Sequence, residues 1–571
     1  MTVTRTADRG APEDPRTVDP EPRQSVPVIH NPVLRGFHPD PSILRIGADY
    51  YVATSTFEWL PGVTIHRSRD LVTWEPLGGA LGESRLIDLE GTVDSGGVWA
   101  PCLSHADGSF YLVYTHMISN IGPYRDLRNY VVTAPSPTGP WSDPEPLHNR
   151  GFDPSFFHDE GRTWMVAMEY DHRPGRDRFA GITLQEWSRE QRRLIGPIRR
   201  IFDGTENGCT EGPHLYRRNG WYILLLADGG TGSNHGAIAA RSRSIEGPYE
   251  LDPAGPLITT RDDRGNPLQK AGHGCLVETP DGQWYMAHLC ARMLPHADRG
   301  VLGRETALAQ VHWSTDDWPR ISGGRPAIAV PAPSAHAVEN AATPDLDEHD
   351  DEPADGYHFH DDFGDSSGEG ALDPRLLTLR LHAHPSWIDL RARPGHLHLR
   401  GQQSLASAHR QSLVAHRQTA LNAEARTLLD FHPTDPRQMA GLVHFYNTKL
   451  WHYLQLTWDE RDGRVLRLAS LAFQTHTESA VVPVEGDAPL HLRAEARGAT
   501  VRFAWSLDGV EWNEIGPPLD ASLLSDEYAT RSVAGRITDW GYTGSVFALA
   551  AQDLTGAGLT ADFDFFDYRE L

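Results

Sequence analysis

The sequence is poor in cysteine, with four among 571 residues (Cys102, Cys209, Cys275 and Cys290) and no C-x-x-C spacing. A disulfide framework or a zinc ribbon is therefore excluded as the basis of the fold. Positive charge is also short. Lys+Arg total 52 against 77 Asp+Glu, a formal net charge of -25, so neither nucleic acid nor an anionic membrane is expected as a partner. No apolar run is long enough to span a bilayer, and the opening MTVTRTADRGAPEDPRTVDPEPRQ lacks the apolar stretch of a secretory signal. A cytoplasmic location is the resulting expectation. A 3.6-residue period is missing from the repeating part of the chain, whereas 53 Gly and 42 Pro punctuate it, which favours many short strands over long helices. With 39% hydrophobic residues and 16 Trp, there is material for large cores, and the length calls for two or more domains.

What is present is a repeat. Residues 1–27 are Pro-, Arg- and Asp-rich without periodicity and read as a disordered tail. From Val28 onward five segments share a pattern: HPDPSILRIGADYYVATST (38–56), VWAPCLSHADGSFYLVYTH (98–116), GFDPSFFHDEGRTWMVAMEY (151–170), CTEGPHLYRRNGWYILLLADGG (209–230) and AGHGCLVETPDGQWYMAHLC (271–290). Each has a short apolar strand, a tight turn such as Asp107-Gly108 or Asn219-Gly220, and an aromatic-rich return strand. That is the signature of a β-hairpin. The segments recur at intervals of roughly 60 residues, long enough for a multi-stranded propeller blade and too long for a helical solenoid unit. Five repeats predict a five-bladed β-propeller over residues 28–325. Residues 326–356 are Ala/Pro-rich and then acidic, and read as an extended linker. Alternating segments in 357–571, such as LVHFYN (442–447), HYLQLTW (452–458) and TVRFAWSLDGVEW (500–512), predict a C-terminal antiparallel β-sandwich. Its first and last strands, HFHDDF (358–363) and ADFDFFDY (561–568), are expected to pair. The fold class is all-β.

In a propeller the innermost strands line a central channel, so equivalent positions converge. Aligned on the turns, the repeat heads are Asp40, Ala100, Asp153, Glu211 and His273. Three carboxylates brought together cannot all ionise freely, and their pKa values separate. Glycoside hydrolysis needs that separation: one carboxyl protonated as acid, another ionised as base. Two other readings stand beside it. Asp-Pro commonly initiates turns, so Asp40 and Asp153 could be structural, and carboxylates with a histidine can hold a cation. A structural turn would tend to repeat Asp or Asn, which ranks acid–base chemistry first.

The strings NPVLRGFHPDPSI (31–43), YYVATSTFEWLPGV (50–63), DSGGVWAP (94–101), GFDPSFFHD (151–159), TEGPHLY (210–216), GNPLQKAGHG (265–274) and LGRETA (302–307) together resemble the β-xylosidases of glycoside hydrolase family 43, in the group with a C-terminal, concanavalin-like β-sandwich. The resemblance runs from about Asn31 to the C-terminus. It implies an inverting mechanism with Asp40 as general base, Glu211 as general acid and Asp153 raising the pKa of Glu211 and orienting it. His273 and Arg304 would line the same pocket, Phe57 and Trp99 would form apolar platforms beside the terminal sugar, and Thr231 would contact a hydroxyl. Tyr542, in the loop DWGYTGS of the second domain, would act as a lid and make the enzyme exo-acting; Phe is the residue expected there. The implied activity is release of D-xylose from non-reducing ends of β-1,4-xylo-oligosaccharides, with α-L-arabinofuranosidase activity as the alternative. No organic cofactor is implied, and the one metal the resemblance leaves room for is a Ca²⁺ near the channel, held partly through water by His273. Related two-domain enzymes are often dimers or tetramers, so a homo-oligomer is compatible. A retaining fructan-hydrolase propeller would carry a WMNDPNG-type string where this chain has FHPDPSI. A non-catalytic sugar-binding propeller would lack one of the three carboxylates.

Overall fold

The structure, a computed structural model, describes residues 27–120, 122–333, 356–364, 370–533 and 536–571. All but the last residue of the tail expected over 1–27, and most of the linker expected over 326–356, lie outside the described residues. Five antiparallel sheets follow one another in chain order, four of four strands and the fourth of five, where Ile258–Thr259 adds a short strand. Their innermost strands are Ser42–Ile46, Gly97–Ala106, Gly151–Asp159, Glu211–Arg218 and Gln269–Glu278. Each returns through the turn its sequence announced. At Asp107-Gly108, Glu160-Gly161 and Asn219-Gly220 both central residues have positive φ, the backbone of the two-residue hairpin turn that matches strand twist. The ring is closed by the start of the domain. Val28–His30 pairs with Ala329–Pro331, and the Asn31 side chain donates to Leu308 O and accepts from Leu308 N at 2.7 and 2.8 Å. Residues 329–331, expected to be linker, therefore belong to the propeller, because their backbone groups complete a pair with its first strand.

One backbone device recurs at the head of each inner strand. Asp40, Ala100, Asp153, Gly212 and His273 all have φ between 30° and 57°, and each precedes Pro41, Pro101, Pro154, Pro213 or Gly274. Strand register shifts at this point in blades two to five. A left-handed residue at a bulge turns the side chain out of the pleat, here toward the channel. This corrects the repeat alignment in blade four: the head equivalent to Asp153 is Gly212, and Glu211 sits one position earlier, in the place of Trp99 and Phe152. The glycine has a reason, since a Cβ on Gly212 would come within 2.8 Å of His273 Nε2.

The C-terminal part is a sandwich of two eight-stranded sheets. His358–Asp361 pairs with Thr560–Glu570 as expected, with Phe359 opposite Tyr568. Between the sheets lies a core that includes Leu397, Leu442, Leu492, Phe503, Leu549 and Phe563. The far strand of one sheet comes from the propeller: Trp59–Leu60 pairs with Leu376–Leu379. A shared apolar cluster runs from Phe37, Trp59 and Trp99 to Leu379, Phe445 and Val546. Burying a side chain such as Phe445 contributes about 1.5–3 kcal/mol, so the two domains are held by packing as well as by chain connection.

Candidate active site

The heads converge on a cavity of about 620 Å³ at one end of the propeller channel, covered by a loop of the sandwich. Asp40, Asp153, Glu211, His273, Arg304, Phe57, Trp99, Thr231 and Tyr542 all line it; every site residue expected from the sequence is brought together.

Asp40 is buried and fully engaged. Its Oδ1 accepts from Arg304 Nη1 at 2.9 Å and its Oδ2 from Ser55 Oγ at 2.7 Å. Ser55 Oγ in turn accepts from the Ala100 backbone N–H at 2.7 Å, which commits the single hydroxyl proton to Asp40. Burial alone would raise this carboxyl; the Arg304 guanidinium foremost, with the Ser55 hydroxyl, outweighs it and holds Asp40 below its ordinary value. His273 Nδ1 lies 3.6 Å from Asp40 Oδ1, and burial pushes the imidazole down to about 4, so it is neutral near pH 7.

Blade four carries the opposite proton state. Burial pushes Glu211 up to about 7; the Arg125 guanidinium works against this and the Asp40 charge adds to it. Asp153, whose Oδ2 accepts from the Gly212 N–H at 3.1 Å, is raised by burial and by the Glu211 charge. The two carboxyls titrate as a pair that retains a proton into the neutral range.

The wall between them is aromatic. Phe57 and Trp99 stand with ring centroids 6.2 Å apart, and the Tyr542 ring lies 6.0 Å from each. The Tyr542 loop is tied down through its backbone. Arg304 Nη2 donates to Tyr542 O at 3.1 Å, and Ser95 Oγ donates to Trp540 O while accepting from Tyr542 N, both at 3.1 Å. A Cβ on Gly303 would fall 2.2 Å from Thr543 O, so glycine is what allows the two backbones to touch. Arg304 thus holds Asp40 with one arm and the lid with the other.

Several members of the site had no sequence expectation. Ser55 lay in the quoted string YYVATSTFEWLPGV and Lys270 in GNPLQKAGHG, so a signal was present for both. Lys270, buried in the wall, pairs with Glu527 and lies 3.7 Å from Asp526 Oδ2, both in the four-residue helix Asp526–Ala529 of the sandwich. Arg125 is caged by Tyr170, Trp540, Phe152 and Trp99, 4.5 to 6.0 Å from their ring centres. Nothing in the local sequence marked Arg125, Asp526 or Glu527.

The thiols divide. Cys209 lines the pocket, and burial pushes it up to about 11. Cys102 and Cys275 instead line a cavity of about 280 Å³ further along the same inner strands, where Tyr216 OH donates to Cys275 Sγ at 3.3 Å. The donor set beside His273 does not suit a directly bound Ca²⁺. That ion takes six to eight oxygens, whereas Asp40 is already paired with Arg304. Among the described residues no cluster of three or more His, Cys, Asp or Glu side chains is arranged around a metal.

A depressed carboxyl in blade one facing a proton-holding pair in blades three and four, inside a pocket closed at one end and walled by aromatics, defines a glycoside hydrolase. Sequence comparison agrees and is more specific. The profile of the glycosyl hydrolases family 43 matches residues 29–319, and that of the β-xylosidase C-terminal concanavalin A-like domain matches residues 360–569. A xylan 1,3-β-xylosidase of Vibrio sp is 41% identical over 95% of this chain and 99% of that protein. A xylosidase/arabinosidase of Humicola insolens is 42% identical over 95% and 98%. The crystal structure of a xylan β-1,4-xylosidase from Bacillus halodurans C-125 superposes with a TM-score of 0.87 at 45% identity, covering 95% of this chain and 100% of that one. The chain belongs to glycoside hydrolase family 43.

Proposed function

We propose that the protein is an exo-acting, inverting β-D-xylosidase that releases D-xylose from the non-reducing ends of xylo-oligosaccharides. The observation that carries this reading is the convergence of three buried carboxyls in one pocket, with Asp40 bound to Arg304 and Ser55 and thereby lowered, and Glu211 and Asp153 raised by burial. Glu211 gives its proton to the glycosidic oxygen as the bond to the anomeric carbon breaks. A water attacks that carbon from the opposite face and passes a proton to Asp40. The products are the shortened saccharide and a sugar of inverted configuration, and solvent exchange resets both carboxyls. Asp153 touches neither reacting atom; beside Glu211 it is the other half of the pair that retains a proton, and its bond to Gly212 N–H fixes its position. Phe57 and Trp99 stack on the apolar face of the sugar, Arg304 and Thr231 meet its hydroxyls, and the Tyr542 loop stops the channel beyond one residue. No cofactor enters these steps, and activity unchanged by chelation is the expected outcome. A pocket for one sugar at a time suits short imported oligosaccharides, so the proposal places the enzyme in the cytoplasm, which cell fractionation tests.

The names of the relatives include both 1,3- and 1,4-linked substrates, and the Humicola relative is named for arabinosidase as well; a β-1,4 linkage with α-L-arabinofuranosidase as second activity is the reading adopted. A panel of β-1,3- and β-1,4-xylobiose, aryl xyloside and aryl arabinofuranoside, with proton NMR of the first-formed anomer, tests it. Faster β-1,4-xylobiose turnover and α-xylose appearing first are expected. A preference for the arabinofuranoside would reverse the ranking, and first-formed β-xylose would sink the inverting assignment.

A further inference from the structure

Away from the active site, a second cavity of about 770 Å³ lies between propeller and sandwich. Its wall is basic: Arg35, Arg292, Arg375, Arg417, His38 and His66 all face it. Three of the guanidiniums have carboxylate partners, Arg35 with Glu570, Arg292 with Glu305 and Arg375 with Asp373. Arg417 has none among the described residues. It is 5% exposed, its Nε donates to Phe37 O at 2.8 Å, and its Nη2 is buried without a partner. A buried guanidinium without a counter-charge is destabilising unless something else supplies the charge. Three polar groups converge from different directions: Arg417 from the sandwich strand Ser412–Arg417, His66 from the propeller strand Gly62–Ser68, and His38 from the segment leading to Asp40.

We propose that this interdomain cavity is a binding site for a phosphate monoanion, free or carried on a small organic molecule. The guanidinium fork of Arg417 matches two phosphate oxygens. The histidines discriminate further. His38 Nδ1 meets Arg35 O at 3.1 Å, so in the neutral ring that nitrogen donates and Nε2 is left as an acceptor. A phosphate monoanion keeps a P–O–H to give to such an acceptor, two when free and one as an ester, whereas sulfate and carboxylates near neutral pH have no proton to offer. The volume is that of a small-molecule site and leaves room for an organic substituent. The site does not depend on the glycosidase reading, and its test reads binding rather than turnover.

Isothermal titration and thermal unfolding of the whole chain test it, using inorganic phosphate, glycerol 3-phosphate, sulfate and citrate against sodium chloride at matched ionic strength. Saturable one-to-one binding of inorganic phosphate or glycerol 3-phosphate is expected, with a Tm rise of a few degrees. Tighter binding of glycerol 3-phosphate would mark the organic ester as the occupant, and equal affinities the phosphate group alone; either supports the site. Arg417→Met should bind at least tenfold more weakly. Arg417→Lys, which keeps the charge in the cavity without the fork, should also weaken binding about tenfold and covers the case in which Arg417→Met does not fold. Sulfate or citrate binding as tightly as phosphate, a Tm response matched by sodium chloride, or unchanged affinity in Arg417→Lys would each overturn the proposal.

Discussion

Propeller and sandwich contribute to the same pocket by opposite means. The propeller repeats one backbone device five times, a left-handed residue followed by proline or glycine, set at a register shift in blades two to five, and varies the side chains at that place to obtain Asp40, Ala100, Asp153, a glycine beside Glu211, and His273. The sandwich repeats nothing. It reaches in with one loop around Tyr542 and one short helix carrying Asp526 and Glu527, both fixed by polar contacts to Arg304, Ser95 and Lys270. Ring geometry places charge with high redundancy, whereas the lid depends on a few bonds across a domain boundary. The chemistry should therefore fail when a head is changed, and access and binding should fail when the boundary is changed.

The largest effect is expected at the heads. Glu211→Gln should lower turnover of xylobiose about 10²–10⁴-fold and leave an aryl xyloside with an activated leaving group far less affected; an equal loss on both substrates would remove Glu211 from the acid role. Next comes the residue that belongs to both regions. Arg304→Met removes the cation that holds Asp40 down and the bond that holds the lid. Asp40 must be ionised to act, so activity is lost as pH falls through its pKa; when that pKa rises, the acid limb of the kcat/KM profile moves to higher pH, and kcat/KM falls about 10²-fold. An acid limb that stays put would show that Arg304 serves the lid alone.

Tyr542→Ala tests the sandwich by itself. It should raise KM about tenfold, on the scale of one lost aromatic contact, and leave both limbs of the pH profile in place. Smaller again is Arg125→Ala. Arg125 opposes the burial that raises Glu211, so its loss moves the basic limb upward: the proton needed for catalysis is then held to higher pH. A downward shift would contradict this electrostatic account. The smallest effect is expected at Cys209, where burial keeps the thiol protonated and therefore slow to react. Iodoacetamide near pH 7 should leave activity within about twofold.

Much of this was legible in the sequence because the signals are local. Asn219-Gly220 and its counterparts predict hairpins from backbone preference alone, and five such hairpins predict five blades. The repeat also exposed Asp40 and Asp153, whose Asp-Pro strings align without ambiguity. It was less reliable in blade four, where Glu211 was aligned with the heads and the structure puts Gly212 there. The turns that anchored the alignment lie several residues downstream, and an alignment over that span does not register a one-residue difference. Arg125 was invisible for another reason: its cage is built from Tyr170, Phe152, Trp99 and Trp540, residues of three propeller segments and the sandwich, and no spacing along the chain encodes their meeting. Pro331 was misassigned to the linker for the same reason, its partner being Val28 at the other end of the domain.

The sequence by itself determined the strands, the turns, the number of repeats and the residue types available at each head, because these follow from side-chain alternation and φ preferences within a few residues. Tertiary structure alone decided which carboxyl is lowered and which are raised. Those shifts depend on the distance from Asp40 to Arg304 and on the closure of a ring that buries residues 40, 153, 211 and 304 together in one low-dielectric space, where a neighbouring charge shifts a carboxyl strongly.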